Sequence, residues 1–222
     1  AQDGGVPQAG CGCSRCVSAL RDPSKALHPA CCLVEGSDGS LHLIEASRAL
    51  PQQLGIAAIS LGIGNTIVPD TVTITHAHLG HIDGLGQFGK EVMGSRGTRL
   101  IASKSVIDFI RKRGLISPFK VNNVESSVPF SPSEKCGFQF EFIPIPHRDE
   151  FSDTHAIKVI GPVSSLLFLP DHDDWVETLD MVGQSSIREW LKSLEIDFAL
   201  IDGTFWSEDE LGGRDMSQIP HP

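Results

Sequence analysis

The sequence predicts one mixed α/β domain spanning residues 1–222, and three observations carry that reading. Strand-like and helix-like stretches alternate, with strand pairs first and strand–helix units after them. His76, His147, Asp171 and Asp202 each follow a predicted strand directly, and strand ends are where sites in α/β folds are commonly built. The composition is that of an ordinary globular protein: 222 residues, 40% hydrophobic and 21% charged, long enough to bury a sizeable core.

In chain order, Cys32–Glu35 and Leu41–Glu45 read as a hairpin around Gly36-Ser37-Asp38-Gly39. Ser47 can cap a short helix towards Leu54, with Gly55 as its stop. Thr71–Thr75 is a strand that runs into the histidines, Leu85–Met93 a short helix, and Thr98–Ala102 a strand. Ser103 caps a helix reaching Arg113 before Gly114. Phe138–Ile145 alternates as a half-buried strand does and ends at Pro146-His147. Ala156–Ile160 and Ser165–Leu169 are two more strands, Ser185–Leu194 a helix, and Asp197–Ile201 a last strand ending at Asp202-Gly203-Thr204.

The net charge of -10 argues against a protein that grips a nucleic-acid backbone, which needs a basic surface. The Arg111-Lys112-Arg113 patch reads as a solvated helix end. No stretch approaches the roughly 18–20 apolar residues of a membrane span. The sequence starts at Ala1 with no export signal, so a cytoplasmic placement and a trimmed N-terminus are expected. The cysteines form two groups. Cys11, Cys13 and Cys16 crowd into six positions, a spacing poor for disulfides and suited to thiolate metal ligands. Cys31, Cys32 and Cys136 lie in apolar or strand-like surroundings and read as inert.

The segment Thr75-His76-Ala77-His78-Leu79-Gly80-His81 is the strongest chemical signal. A single histidine at a strand end is usually structural, but three within six positions point to a metal. His76 and His78 are two apart, so an extended chain directs both to one side. Alone, His147 reads equally as a ligand or a loop residue, and Asp171, in Asp171-His172-Asp173-Asp174, as a capped turn.

His76-x-His78-x-Gly80-His81, then His147, then Asp171, resembles the metallo-β-lactamase superfamily, whose signature is H-x-H-x-D-H followed by a His, an Asp and a final His. Gly10-Cys11-Gly12-Cys13-Ser14-Arg15-Cys16, Gly89-Lys90-Glu91-Val92-Met93-Gly94 and Leu200-Ile201-Asp202-Gly203-Thr204-Phe205-Trp206 narrow the resemblance to the PqqB/PhnP-like branch. The resemblance implies an αββα sandwich with a metal site at one edge of its two sheets. It assigns His76, His78 and His147 to a first metal, Asp171 as a bridge and His81 to a second. It also implies a structural zinc on Cys11, Cys13, Cys16 and His221. Gly80 occupies the position of the second-site aspartate, and Gln218 that of the last active-site histidine. The opposite assignment, with His221 in the active site, stays open.

A second metal is therefore expected to bind weakly unless Asp83, His172 or Asp173 substitutes. Three imidazoles with an open position suit a catalytic zinc, and with a nearby carboxylate they also resemble a non-haem iron site, so zinc and iron both remain open. The expected function is a metal-dependent hydrolase of a phosphodiester or other small ester, in which Asp171 and His81 act at the reacting centre. The alternatives are a PqqB-like iron-dependent oxidase or hydroxylase acting on a peptide or cofactor precursor, and a non-catalytic metal binder. A small molecule or small peptide is the expected partner, and a homodimer is allowed.

Overall fold

The direction each strand side chain faces builds this molecule as layers. The computed structural model describes residues 5–64, 66–148, 150–205, 207–210 and 215. One sheet holds β1 (Cys32–Glu35), β2 (Leu41–Ile44), β3 (Thr71–Thr73), β4 (Arg99–Ala102) and β5 (Lys120–Asn123), in that spatial order. β1 and β2 form the antiparallel hairpin, with Cys32 opposite Ile44, and β2 to β5 run parallel. A second sheet orders β6 (Gln139–Pro144), β7 (His155–Ile160), β8 (Ser165–Leu169) and β9 (Phe198–Ile201). Here β7 is antiparallel to both neighbours, so β6, β8 and β9 point the same way.

Successive strand residues face opposite sides, and that period sorts the core into three. Leu41, Leu43, Val72, Leu100 and Ala102 face outward from the first sheet onto α2 (Leu50–Leu61) and α4 (Lys104–Lys112), through Leu50, Leu54, Val106 and Ile110. Their neighbours Ile44 and Ile101 face inward and meet Phe140, Phe142, Ile157 and Phe168 of the second sheet. The far face of that sheet, Ile143, Ala156, Leu167 and Leu169, packs on Trp175 and Trp190 of α5 (Trp175–Val182) and α6 (Ile187–Ser193). The result is helices, sheet, sheet, helices, the αββα order expected. Each fully buried aromatic or branched side chain contributes roughly 1.5–3 kcal/mol through removal from water.

Four local expectations are corrected. Gly55 does not stop its helix; α2 continues to Leu61 and ends at Gly62, whose φ of 67° allows its N–H to reach the Ala58 and Ile59 carbonyls. The cap of α2 is Ala49, whose N–H is held by the Ser47 hydroxyl at 3.1 Å. Leu85–Met93 is not an α-helix: α3 (Leu79–Ile82) is followed by a 3-10 turn, Asp83–Phe88. Gly84 requires that tightness, because a Cβ there would lie 2.2 Å from the Ser47 carbonyl. The strand before the histidines stops at Thr73.

Three elements escaped the sequence reading. α1 (Ser14–Arg21) is capped by the Cys13 sulfur, an unusual cap. β5 is an exposed, polar edge strand without alternation. α5 starts inside the acidic run, where Asp174 accepts from Val176 N at 2.6 Å and Glu177 N at 3.3 Å. Arg111, Lys112 and Arg113 are exposed at the end of α4, as expected. Among the described residues no helix is long and apolar enough to cross a membrane.

Candidate metal centre

Parallel pairing brings the site together. The C-terminal ends of β2 and β3 lie at one edge of the first sheet, and those of β6, β8 and β9 at one edge of the second. Glu45 follows β2, His76 to His81 follow β3, His147 follows β6, Asp171 follows β8 and Asp202 follows β9. The two edges meet where the His155 N–H donates to the Thr75 carbonyl at 3.2 Å. The histidine turn is pinned from below: Ala46 N donates to the His81 carbonyl at 2.9 Å and Gly84 N to the Ala46 carbonyl at 2.7 Å.

Ligand atoms of His76, His78, His147 and Asp171 all lie within 4.8 Å of one another. His78 Nδ1 is 3.0 Å from His76 Nε2 and 3.1 Å from His147 Nε2. Asp171 Oδ2 is 3.3 Å from His76 Nε2 and 3.6 Å from His147 Nε2. A tetrahedral ion with bonds of 2.0–2.1 Å places its ligand atoms about 3.3 Å apart, so these donors fit one ion of that kind. His81 stands beside this group and not in it: its Nε2 is 3.3 Å from Asp171 Oδ2. His81 and Asp171 are thus the two described side chains at the position where the resemblance expects a second metal.

The expected substitutes do not strengthen that position. Asp83 is exposed on the turn. His172 directs Nε2 to the Thr178 hydroxyl at 2.7 Å, and Asp173 Oδ2 lies 3.2 Å from His147 Nδ1. Gln218 and His221 lie outside the described residues.

The other nitrogen of His76 and of His78 has a hydrogen-bond partner, and that of His81 and of His147 has a carboxylate at ion-pair distance without hydrogen-bond geometry. Thr75 Oγ1 is 2.8 Å from His76 Nδ1, Glu150 Oε2 3.3 Å from His78 Nε2, Glu45 Oε2 3.3 Å from His81 Nδ1, and Asp173 holds His147. Such partners fix ring orientation and raise ligand basicity. Glu45 is the functional residue that sequence reasoning missed. It is fully buried, its Oε1 accepts from Thr75 N at 3.0 Å, and its backbone φ is 70°. A non-glycine residue there is costly, but Glu45 looks like an ordinary strand end in sequence.

The electrostatics leave a neutral imidazole and an ionised carboxylate side by side. Burial pushes the His76 imidazole down to about 3 in spite of Asp171, which leaves it neutral and fit to be a ligand. Burial opposes charge on His81 too, but Glu45 and Asp171 outweigh it and hold its pKa well above the ordinary value. Burial would raise Asp171, yet hydrogen bonds from His76 and His81 hold it far below the usual carboxylate range. Beside the centre opens a cleft of about 760 Å³, with Leu27, Phe168, Leu200 and Phe205 on its apolar side and Arg148, Asp173 and Asp202 on its polar side.

The sulfurs of Cys11, Cys13 and Cys16 also converge within 4.8 Å. Hydrogen bonding from the Cys16 N–H, aided by the neighbouring thiols, brings Cys13 down to about 7. Burial pushes the Cys31 and Cys32 thiols up, and Cys136 is buried, consistent with inert cysteines.

Layer order, strand-end histidines and the shared aspartate together define a metallo-β-lactamase fold with a metal-binding His/Asp cluster. The chain belongs to the family described as the beta-lactamase superfamily domain, whose model matches residues 62–221. Among solved structures it is similar to the zinc-bound PqqB of Methylobacterium extorquens, with a TM-score of 0.70 and 18% identity over 94% of this chain and 72% of that one. It is also similar to a diphosphatase of the PhnP family, with a TM-score of 0.53 and 21% identity over 81% of this chain and 65% of that one. The fold protein YhfI of Bacillus subtilis follows, at a TM-score of 0.50 and 17% identity over 67% of this chain and 56% of that one. No curated protein matches the sequence.

Proposed function

We propose that this chain is a metal-dependent hydrolase of a small ester or phosphodiester. One observation carries the reading: three imidazole nitrogens and one carboxylate oxygen converge within 4.8 Å, at the wall of a substrate-sized cleft. An ion held by His76, His78, His147 and Asp171 would supply Lewis acidity and bring the pKa of a bound water towards neutrality. The chain's own groups do the rest. The Asp171 carboxylate, holding the ion through one oxygen, would orient the water and take its proton on the other as the new O–C or O–P bond forms. His81, charged between Glu45 and Asp171, returns a proton from Nε2 to the departing alkoxide as the old bond breaks. The apolar wall of the cleft holds the body of the substrate. The test is hydrolysis of bis-p-nitrophenyl phosphate and p-nitrophenyl acetate by zinc- or iron-loaded protein. Turnover that falls by 10²-fold or more in His76→Ala and Asp171→Asn supports the reading. Unchanged turnover in both variants, or a parent that holds one ion and hydrolyses neither compound, as a non-catalytic binder would, overturns it.

A second reading, iron-dependent oxidation of a small peptide or cofactor precursor, draws support from the charge of the cleft. Among the described lining residues Asp171, Asp173 and Asp202 face Arg148, which itself lies 3.5 Å from Asp173, and His81, which is paired with Asp171 and Glu45. That balance suits a neutral or cationic substrate better than a polyanion. Oxygen consumption by the ferrous protein in the presence of peptides would favour it over hydrolysis. At the other end of the chain we assign Cys11, Cys13 and Cys16 to a structural zinc, with His221 as the fourth ligand.

A further inference from the structure

The segment after β6 grips the histidine turn residue by residue. Glu150 Oε2 lies 3.3 Å from His78 Nε2. The Phe151 ring meets the His78 ring edge-on, with centroids 5.8 Å apart. The Ser152 hydroxyl accepts from Ala77 N at 2.9 Å and donates to the Asp153 carbonyl at 2.9 Å. Phe151 is itself braced by Phe109 of α4, with centroids 5.0 Å apart. Three consecutive residues of one loop thus fix the position of two residues of the metal-binding turn.

His78 is the ligand on which this matters most, because it differs from its partners in the nitrogen it offers. His76 and His147 direct Nε2 to the centre, whereas His78 directs Nδ1. An imidazole that offers Nδ1 must carry its proton on Nε2. The residue facing Nε2 therefore decides whether the ligand nitrogen has a free lone pair. Glu150 is the only described group that stands there in an ion pair or hydrogen bond with it. Glu45 and Asp173 serve the same purpose for His81 and His147, but Glu45 is entirely enclosed and also ties down the Thr75 backbone. Glu150 has no such structural duty, and its side chain is 49% exposed.

We propose that Glu150 is the positioning residue that holds His78 in the Nε2-protonated form and thereby sets the affinity of the centre for its ion. The inference rests on the assignment of His76, His78, His147 and Asp171 as ligands. It makes the loop at 150–152, and not the sheets alone, part of the metal-binding machinery. It also predicts an effect on binding that the fold does not share, since a half-exposed carboxylate contributes little to stability.

The experiment is competition for zinc against a chromogenic chelator, with the full chain as the parent and His76→Ala as the reference that removes this centre and leaves the cysteine cluster. Loss of an outer-shell partner typically costs 10–100-fold in metal affinity. Glu150→Ala should weaken the His76-dependent zinc site by about that factor, while the melting temperature of the metal-free protein stays that of the parent. Glu150→Gln still accepts a hydrogen bond from Nε2 and should recover most of the affinity. Equal zinc affinity in the parent and Glu150→Ala overturns the proposal. So does a loss that Glu150→Gln shares in full, or one matched by a lower metal-free melting temperature. If His76→Ala binds zinc as the parent does, the ligand assignment itself fails, a result distinct from an inert Glu150.

Discussion

Glu45 answers two demands with one side chain. Its carboxylate receives the Thr75 N–H through Oε1 and faces His81 Nδ1 through Oε2, in a site closed to solvent. Its backbone meanwhile sits at a φ of 70°, where a side chain costs about 1–2 kcal/mol. Removing one partner of a buried pair costs about 3–5 kcal/mol, so the pair outweighs the strain. Glu45→Ala should therefore destabilise the protein by about 3–5 kcal/mol in denaturant unfolding. Glu45→Gly, which relieves the backbone, should be milder by about 1 kcal/mol yet still destabilising. A glycine variant as stable as the parent would mean that the ion pair contributes nothing. None of this was legible in sequence: the residue type is ordinary, and its two partners lie 30 and 36 positions away.

At the scale of elements, α2 shows where local propensity misleads. A glycine after an amphipathic stretch looks like a helix stop, as Gly55 does in the sequence. The helix runs through it because Leu50, Leu54 and Ala58 pack on the first sheet, and that packing outweighs the roughly 1 kcal/mol that a mid-helix glycine costs. The actual stop, Gly62, has the left-handed φ that Gly55 lacks. A Cβ at Gly55 would meet nothing within 4 Å. Gly55→Ala should accordingly stabilise the protein by about 0.5–1 kcal/mol, seen as a raised denaturant midpoint with an unchanged slope. The strands were the better-read elements. Period-two alternation is imposed by the layers themselves, and Phe138–Ile145 displays it in the residues that form β6. Polar β5 has no such pattern, since an exposed edge strand is held by backbone pairing and not by burial.

At the scale of the molecule, the centre is a joint between halves. His76 and His78 hang from the first sheet, His147 and Asp171 from the second, so an ion bound by all four would add a link between two layers that meet through apolar packing and a few hydrogen bonds. Binding to the folded state alone stabilises by about 2.7 kcal/mol when free ion is 100-fold above Kd. For a chain of this size that corresponds to a melting temperature about 5–10 °C higher than in chelator. His76→Ala should abolish the part of that shift due to the centre. Cys13→Ser should remove a separate zinc equivalent and its own share of the stability. A melting curve indifferent to chelator in the parent would refute both assignments.

The sequence by itself singled out the His76-His78-His81 cluster and placed the candidate ligands after strands, because histidine spacing and strand periodicity are local properties of the chain. The family resemblance also marked Gly80 as the position where the superfamily signature has an aspartate. The tertiary structure supplied the geometry of the grouping that the resemblance implied: His76, His78, His147 and Asp171 converge, and His81 stands beside Asp171. It alone placed Glu45 and Glu150 behind their histidines. The reason is physical: those relations depend on the register of parallel strands and on how two sheet edges meet, contacts between residues tens of positions apart that no local pattern encodes.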